Sequence, residues 1–135
     1  NLAATGEMLE WAEIYGHLYG TPKAPVLAAI TNGLVPLLVI DPQGHDQVRH
    51  RLASALVCSV YLLPPSPDEL ERRLRFRGDE NEARIQRRLR AAEAEMRRAS
   101  DYDLELVNDD LEATVAAVAD FVEEQARARV RATAD

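Results

Sequence analysis

The sequence predicts an α/β fold, in which a parallel sheet carries helices on both faces. Three short apolar runs each end at a turn signal, and stretches with helical spacing of apolar residues separate them. Hydrophobicity within each run is continuous rather than alternating, which is typical of strands covered on both faces. Strands that alternate with helices in this way are joined by right-handed crossovers. The predicted strands are Leu34–Ile40, Val57–Leu63 and Leu104–Val107.

Polar or turn-forming residues follow each predicted strand. In open α/β sheets, ligands bind beyond the carboxyl ends of the strands, so this edge of the sheet is the predicted site. The segments that meet there are Asp41-Pro42-Gln43-Gly44, Pro64-Pro65-Ser66 and Asn108-Asp109-Asp110.

The first third of the chain contains three predicted helices. Residues Glu7–Tyr15 have the spacing of a short amphipathic helix. A second helix runs over Pro22–Thr31, with Thr21 as its N-cap, proline at its first position and Asn32-Gly33 at its end. The third covers His45–Ala55. The Tyr19-Gly20-Thr21 turn places two hydroxyls beside a predicted helix N-terminus, where an anion is stabilised.

Three further helices are predicted in the rest of the chain. Ser66-Pro67-Asp68-Glu69 is a strong start signal for a helix to about Phe76, and a charged helix follows over Glu82–Ala99. The last helix is capped at Asp109, and its tail from Ala126 is expected to fray. Its predicted buried face consists of Leu111, Val115, Val118 and Val122.

Composition and charge exclude several classes of protein. The net charge of −7 argues against general nucleic-acid binding, and no apolar stretch approaches the ~20 residues of a membrane helix. Cys58 is the only cysteine, which favours a reducing compartment and hence a cytoplasmic location. The three histidines lack metal-ligand spacing, so no protein metal site is predicted.

Arginines are concentrated between Arg72 and Arg98, and Lys23 is the only lysine. Two interpretations remain open for this segment. One is a local anion site, and the other is a solvated helix whose arginines pair with glutamates one turn away.

Several motifs, in order and at close to the expected spacing between Met8 and about Val122, resemble those of guanylate kinases. The resemblance implies the fold of P-loop nucleoside monophosphate kinases, transfer of the ATP γ-phosphoryl to GMP, and use of Mg²⁺ with ATP. The motifs are Leu9-Glu10-Trp11-Ala12, Gly16-His17-Leu18-Tyr19-Gly20-Thr21-Pro22, Ile40-Asp41-Pro42-Gln43-Gly44, Gln47-Val48-Arg49, Pro64-Pro65-Ser66, Leu70-Glu71-Arg72-Arg73-Leu74, Arg77-Gly78, Arg88-Leu89, Tyr102-Asp103 and Val107-Asn108-Asp109-Asp110-Leu111.

The resemblance also implies roles on the GMP side. Glu10 would accept the two N–H donors of the guanine edge, and adenine, which lacks that pair of donors, would fit poorly. The Tyr19 hydroxyl would bind the GMP phosphate, Thr21 would contact the base, and Asp41 would lie where substrate and magnesium meet. Residues 1–21 would be the remainder of the GMP-binding subdomain, and residues 22–135 the core domain.

On the ATP side, the resemblance implies a mobile arginine-rich lid at about residues 70–99. Arg77 and Arg88 would neutralise charge on the phosphoryl group during transfer. Asn108 would contact the adenine edge.

The sequence departs from the family pattern in two respects. It contains no glycine-rich phosphate loop with its lysine, which the family places upstream together with the central strand of the sheet. The family usually has Asp-Ile-Asp where this chain has Val39-Ile40-Asp41. We therefore expect this chain by itself to lack kinase activity, and either to be poorly stable or to self-associate as a homo-oligomer through unpaired sheet edges. A guanylate-kinase-like module that binds a nucleotide or protein without catalysis is the alternative.

Overall fold

The computed structural model describes residues 5–14, 16–53, 56–76 and 81–132. The chain divides into two units, an N-terminal unit over Asn1–Val57 and a C-terminal unit over Cys58–Asp135. The proposed boundary of the GMP-binding subdomain between residues 21 and 22 stays a prediction.

The N-terminal unit begins with a β-hairpin. Strand β1 covers Met8–Ile14 and pairs antiparallel with β2, His17–Pro22. The helix expected over Glu7–Tyr15 is therefore wrong. A short run of spaced apolar residues is compatible with a helix or with a strand, and here pairing with β2 makes it a strand. The tight turn between the two strands uses Gly16, whose φ of 84° lies in the left-handed region that glycine adopts readily.

A β-bulge interrupts the start of the hairpin. Met8 pairs with Pro22 and Glu10 pairs with Thr21, so β1 has one extra residue, Leu9, in this interval. Alternation would place neighbouring side chains on opposite faces, yet Leu9 and Glu10 are both buried. The bulge thus lets Leu9 enter the hydrophobic core while the next residue is buried as a carboxylate.

Helix α1 covers Lys23–Thr31 and confirms the predicted helix, one residue shorter at its start. Pro22 is the N-cap residue and makes no side-chain capping bond, so the expected cap at Thr21 is wrong. Thr21 lies in β2, where its hydroxyl has a different partner. The predicted end at Asn32-Gly33 is confirmed, with Gly33 at φ 74°.

Helix α2 covers Pro42–Arg51, so it begins and ends earlier than the predicted His45–Ala55. The early start follows from a cap that the prediction overlooked: the Asp41 carboxylate accepts the Gly44 N–H, with Pro42 at the first helical position. The hydrophobic core of the unit is formed by three buried side chains, Leu9, Val26 and Val48.

The segment Leu34–Ile40 is neither helix nor strand, so the predicted first strand of the parallel sheet is wrong for the part of the chain that the structure describes. Leu38 and Ile40 pack against the core, whereas Leu37 and Val39 are exposed. This alternation is that of an extended backbone with one covered face. The continuous apolar run indicates two covered faces, but no described strand pairs with it.

The C-terminal unit contains a parallel strand pair, which confirms the α/β prediction. Strand β3, Val60–Leu63, pairs in parallel with β4, Leu104–Val107. β4 has its predicted bounds, and β3 begins three residues later than predicted. Before the ladder starts, the Asp103 carboxylate accepts both the backbone N–H and the hydroxyl of Ser59, each at 2.8 Å.

Two helices and a 3-10 turn connect these strands. Helix α3 covers Pro67–Phe76, and the predicted Ser66 cap is confirmed by the Glu69 N–H, which donates to the Ser66 hydroxyl. Helix α4 covers Glu82–Met96 and starts on an Asn81 cap. It ends before the predicted Ala99, where a 3-10 helix over Ala99–Asp101 begins.

Helix α5 covers Leu111–Ala132 and extends beyond the point where the sequence predicts fraying. Its start is capped by Asp110 rather than Asp109, because the Ala113 N–H donates to the Asp110 carboxylate at 2.7 Å. The predicted buried face is wrong in its first turns, since Leu111 is 70% exposed and Val115 is 59% exposed. Thr114 is buried instead, because its hydroxyl has polar partners next to β4. No helix among the described residues is long and apolar enough to cross a membrane.

Candidate functional site

The N-terminal unit buries a carboxylate between the strands of its hairpin and α2. Glu10 is only 4% exposed, and the Thr21 hydroxyl donates a 2.5 Å hydrogen bond to its Oε1. The two residues are register partners in the hairpin, which explains why they meet although eleven positions separate them. A charge-assisted hydrogen bond of this length holds the carboxylate in one orientation.

The second oxygen of Glu10 lies against the first turn of α2. A Cβ placed on Gly44 would lie 2.7 Å from Glu10 Oε2 and 3.3 Å from Asp41 Oδ1. The missing side chain at residue 44 therefore makes room for the Glu10 carboxylate. The position is also favourable for a negative charge, because the N-terminus of a helix carries partial positive charge.

Asp41 is held in place by its own capping bond. The Gly44 N–H donates to Asp41 Oδ1 at 2.8 Å, and Asp41 is half-buried. Glu10, Thr21 and Asp41, which the sequence places far apart, thus lie around Gly44 in one site. A carboxylate offers about four lone-pair positions, so the capping bond leaves Asp41 able to accept further ligands.

Tyr19 lies two residues before Thr21 on β2 and is 58% exposed. Because side chains two apart on a strand share a face, Tyr19 and Thr21 belong to the same face of the hairpin. The Tyr19 side chain is thus exposed to solvent on the hairpin face that also carries Thr21.

Two side chains of α2 bind the backbone of β1 near Glu10, and sequence reasoning missed both. Arg51 donates to the carbonyls of Met8 and Leu9 at 2.9 and 2.7 Å. Gln47 donates to the Trp11 carbonyl at 2.7 Å and accepts the Trp11 N–H at 3.3 Å. A hydrogen bond from a side chain to a backbone group does not depend on the residue type of its partner, so no sequence pattern reveals it. The four-residue spacing of Gln47 and Arg51 shows only that the two side chains lie on one face of the helix.

In the C-terminal unit, Asn108 follows β4 and is fixed by three contacts. Its N–H donates to the Leu63 carbonyl at 2.7 Å, and Arg73 donates to its carbonyl at 2.8 Å. The Thr114 hydroxyl lies 3.2 Å from the Asn108 side-chain oxygen. The backbone of Asn108 is therefore fixed from β3 and α3, and its side chain from α5.

The arginines of α3 form ion pairs with glutamates close in the sequence. Arg72 and Arg73 both bind Glu69 at 2.6 Å, and their hydrogen bonds lower the pKa of that carboxyl from 4.5 to about 2. Arg75 binds Glu71 on its own helix and Glu82 at the start of α4, each at 2.6 Å. Its hydrogen bond lowers the pKa of Glu82 to about 2. For these three arginines, the predicted pairing with glutamates one turn away is confirmed, although Arg73 and Glu69 are half-buried and Arg73 also binds the Asn108 carbonyl. The interpretation of the segment as an anion site stays a prediction.

The two predicted lid arginines have different outcomes. Arg88 is half-buried on α4, and Arg77 lies outside the described residues. Among the described residues, no three His, Cys, Asp or Glu side chains form a group that could hold a metal ion.

Comparison with known proteins identifies the family of this chain. The family model described as guanylate kinase matches residues 1–125. The chain belongs to the guanylate kinase family. The predicted family resemblance is thereby confirmed.

Individual relatives agree with this assignment. A guanylate kinase of Synechococcus sp. strain CC9311 is 46% identical over 115 residues, which are 85% of this chain and 60% of that protein. One from Thermus thermophilus is 49% identical over 114 residues, 84% of this chain and 50% of that protein. The crystal structure of guanylate kinase from Anaplasma phagocytophilum matches with a TM-score of 0.76 and 31% identity, over 92% of this chain and 58% of that one. The predicted fold class is confirmed, and the chain spans about 60% of the length of the first of these relatives.

Proposed function

We propose that the full-length protein is a guanylate kinase that transfers the γ-phosphoryl group of ATP to GMP and releases ADP and GDP. The observation that carries the proposal is the buried carboxylate of Glu10, fixed between the Thr21 hydroxyl and the glycine at residue 44. The match of this chain to the guanylate kinase family supports the same reaction.

Glu10 is assigned to the recognition of guanine. The guanine edge carries two neighbouring N–H donors, and the two oxygens of one carboxylate match them as acceptors. Adenine lacks this pair of donors and would leave a buried carboxylate without compensation, which is a costly mismatch. Thr21 holds the carboxylate and reaches the base beside it.

The GMP phosphate is assigned to the exposed hydroxyl of Tyr19. A phenolic O–H is a hydrogen-bond donor, and phosphate oxygens accept such bonds readily. Because Tyr19 and Thr21 share a face of the hairpin, one nucleotide could bind with its base at Thr21 and its phosphate at Tyr19.

In the proposed reaction, an oxygen of the GMP phosphate attacks the γ-phosphorus of ATP. The bond from that phosphorus to the β–γ bridging oxygen breaks, and its electron pair stays on ADP. Arg77 and Arg88 are assigned to neutralise charge that spreads over the transferred group. Asn108, whose backbone is held by Arg73, is assigned to the adenine edge.

Asp41 is the residue we assign to the Mg²⁺ side of the site. A capped carboxylate with remaining lone pairs fits an ion that proteins hold through one or two carboxylates together with substrate phosphates. When bound, magnesium supplies charge neutralisation on the phosphates. The reaction is assigned to the cytoplasm, in line with the single cysteine.

The alternative is a module of the same fold that binds a ligand without catalysis, and Val39 favours it. The family usually has an acidic residue there, and Val39 is 95% exposed. A hydrocarbon side chain at that position cannot bind a cation or a proton.

The test is ADP release by the purified full-length protein with ATP and Mg²⁺, measured with GMP and with AMP as acceptor. We expect turnover with GMP and a rate with AMP that is lower by two or more orders of magnitude, since a site built for specific donors rejects a base without them. Binding of GMP in calorimetry without any ADP release would contradict the kinase and support the binding module.

A further inference from the structure

The outer edge of β1, on the side away from β2, is bound by side chains rather than by a third described strand. Arg51 contacts the carbonyls of Met8 and Leu9, and Gln47 contacts both polar groups of the Trp11 backbone. The residues so held lie immediately before and after Glu10. The buried carboxylate is therefore attached to a stretch of backbone that α2 fixes on both sides.

The β-bulge explains how one guanidinium reaches two successive carbonyls. In a regular strand, neighbouring carbonyls point to opposite edges, and a single donor group reaches only one of them. The extra residue at Leu9 disturbs this alternation, so that Met8 and Leu9 both present their oxygens to Nη1 of Arg51. The cation thus stabilises the local backbone conformation that buries Leu9 and Glu10 together.

Gln47 acts in the way a neighbouring strand would. A side-chain amide has one acceptor and one donor group, and here they match the Trp11 N–H and C=O. Gln47 and Arg51 are one turn apart on α2, and Gly44 is nearly one turn before Gln47. One face of this helix thus approaches the Glu10 carboxylate at Gly44, and it binds the backbone on both sides of Glu10 through the other two residues.

We propose that Arg51 and Gln47 are positioning residues for guanine recognition, which act by fixing the backbone on both sides of Glu10. The inference rests on the proposed function. A carboxylate that must accept two N–H groups at once tolerates a displacement of only about 0.5 Å. Loosening the bulge or the Trp11 tether shifts Glu10 while every atom of its side chain is still present.

The experiment measures Michaelis constants for GMP and ATP in the full-length protein. Arg51→Met removes the guanidinium and keeps much of the apolar stem, and the same replacement at His50, an exposed residue of the same helix, is the control. We expect Arg51→Met to raise the KM for GMP about tenfold, the size of effect expected for a lost charge-assisted hydrogen bond. The KM for ATP should stay within about twofold, and His50→Met should leave both constants near the wild-type values.

A combination with Glu10→Gln separates positioning from general loss of structure. If Arg51 acts through Glu10, Arg51→Met adds less than about a twofold effect on GMP once Glu10 has been changed. An equal effect in both backgrounds, or equal effects on GMP and ATP, would overturn the proposal. Arg51→Lys, which keeps one donor group, should recover part of the GMP affinity.

Gln47→Met provides a second route if Arg51→Met does not fold. It removes only the Trp11 tether and should raise the KM for GMP in the same selective way, and unchanged GMP kinetics would contradict the inference. The proposed function fails separately, if the wild-type protein has no GMP-dependent turnover. In that case, GMP or guanosine binding by calorimetry still compares the same variants.

Discussion

The two units of the molecule treat charge in opposite ways. In the N-terminal unit, the carboxylate of Glu10 on β1 is buried and has neighbours on β2 and α2. In the C-terminal unit, the arginines of α3 are paired with glutamates on partly exposed helix surfaces. Exposed pairs contribute little to stability and exchange partners easily, whereas a buried charge must be fully compensated or it destabilises the fold. The first arrangement holds one group in a fixed position, and the second leaves groups that can change partners.

The largest expected effect concerns the phosphate-binding loop, which residues 1–135 do not contain. Residues 1–135 contain no glycine-rich loop with a lysine that could bind the β- and γ-phosphates of ATP. We expect this chain by itself to give no GMP-dependent ADP release, because positioning and charge neutralisation supply most of the catalysis in phosphoryl transfer. The full-length protein is the positive control in the same assay. Turnover by residues 1–135 alone would contradict the proposed role of that loop.

The next effect tests the buried charge. Glu10→Gln replaces one acceptor oxygen by a donor, and we expect it to weaken GMP binding by about 1–3 kcal/mol. ATP binding should hardly change. The matched control is Glu13→Gln, on the exposed side of the same strand. Calorimetric titrations with both nucleotides measure the effect. Equal losses of binding free energy for GMP and ATP would contradict the role of Glu10 in guanine recognition.

Gly44→Ala should separate stability from recognition. Alanine favours helix formation over glycine by about 1 kcal/mol, so thermal unfolding of the variant should occur at the same or a higher temperature. The added methyl group would meet Glu10 Oε2, the movable end of a side chain, and displace it. We therefore expect a higher KM for GMP, while the gain in helix propensity offsets the cost of moving the buried carboxylate and keeps the unfolding temperature close to that of the wild type. An unchanged KM for GMP would contradict a role of residue 44 in recognition.

The smallest effect concerns the partly exposed ion pairs of α3. The pKa of Glu69 is about 2 in the folded protein because Arg72 and Arg73 donate to it, and its ordinary value is 4.5. A lowered folded pKa contributes stability above pH 4.5, and this contribution is lost as the pH falls toward 2. Glu69→Gln should thus lower the unfolding temperature slightly at pH 7 and by less near pH 3, whereas Glu93→Gln, an exposed change on α4, should show no such trend. A constant difference at both pH values would exclude this linkage.

Much of the fold follows from local signals, and the failures have physical causes. The Ser66 cap, the Asn32-Gly33 stop and β4 are set by residues close in the sequence, and they were predicted well. The hairpin was missed because seven residues with short apolar spacing fit a helix equally well. The buried face of the first turns of α5 was predicted wrongly because Thr114 is buried there through its hydrogen bonds, whereas the apolar residues of the predicted face are exposed.

The sequence predicted which side chains would be candidates for the site, and their roles stay predictions. Glu10, Thr21 and Asp41 could be named because the resemblance placed them, and they lie together in the structure. Gly44 was visible as part of a motif, but its role is to leave space, which no residue pattern reports. Gln47 and Arg51 act on the backbone of a bulged strand, and the bulge itself has no sequence signal in this chain.

Trp11 gives the N-terminal unit an optical reporter of its own. It is the only tryptophan in the chain, it is 39% exposed, and it follows Glu10 directly on a backbone held by Gln47. Indole fluorescence excited at the red edge of protein absorption therefore comes from the hairpin alone, while the C-terminal unit contributes only tyrosines such as Tyr61 and Tyr102. Addition of a guanine nucleotide should alter the emission, and a nucleotide that binds only to the C-terminal unit should not. The chain thus carries a label-free signal for the state of one unit, and a single substitution, Trp11→Phe, would switch that signal off.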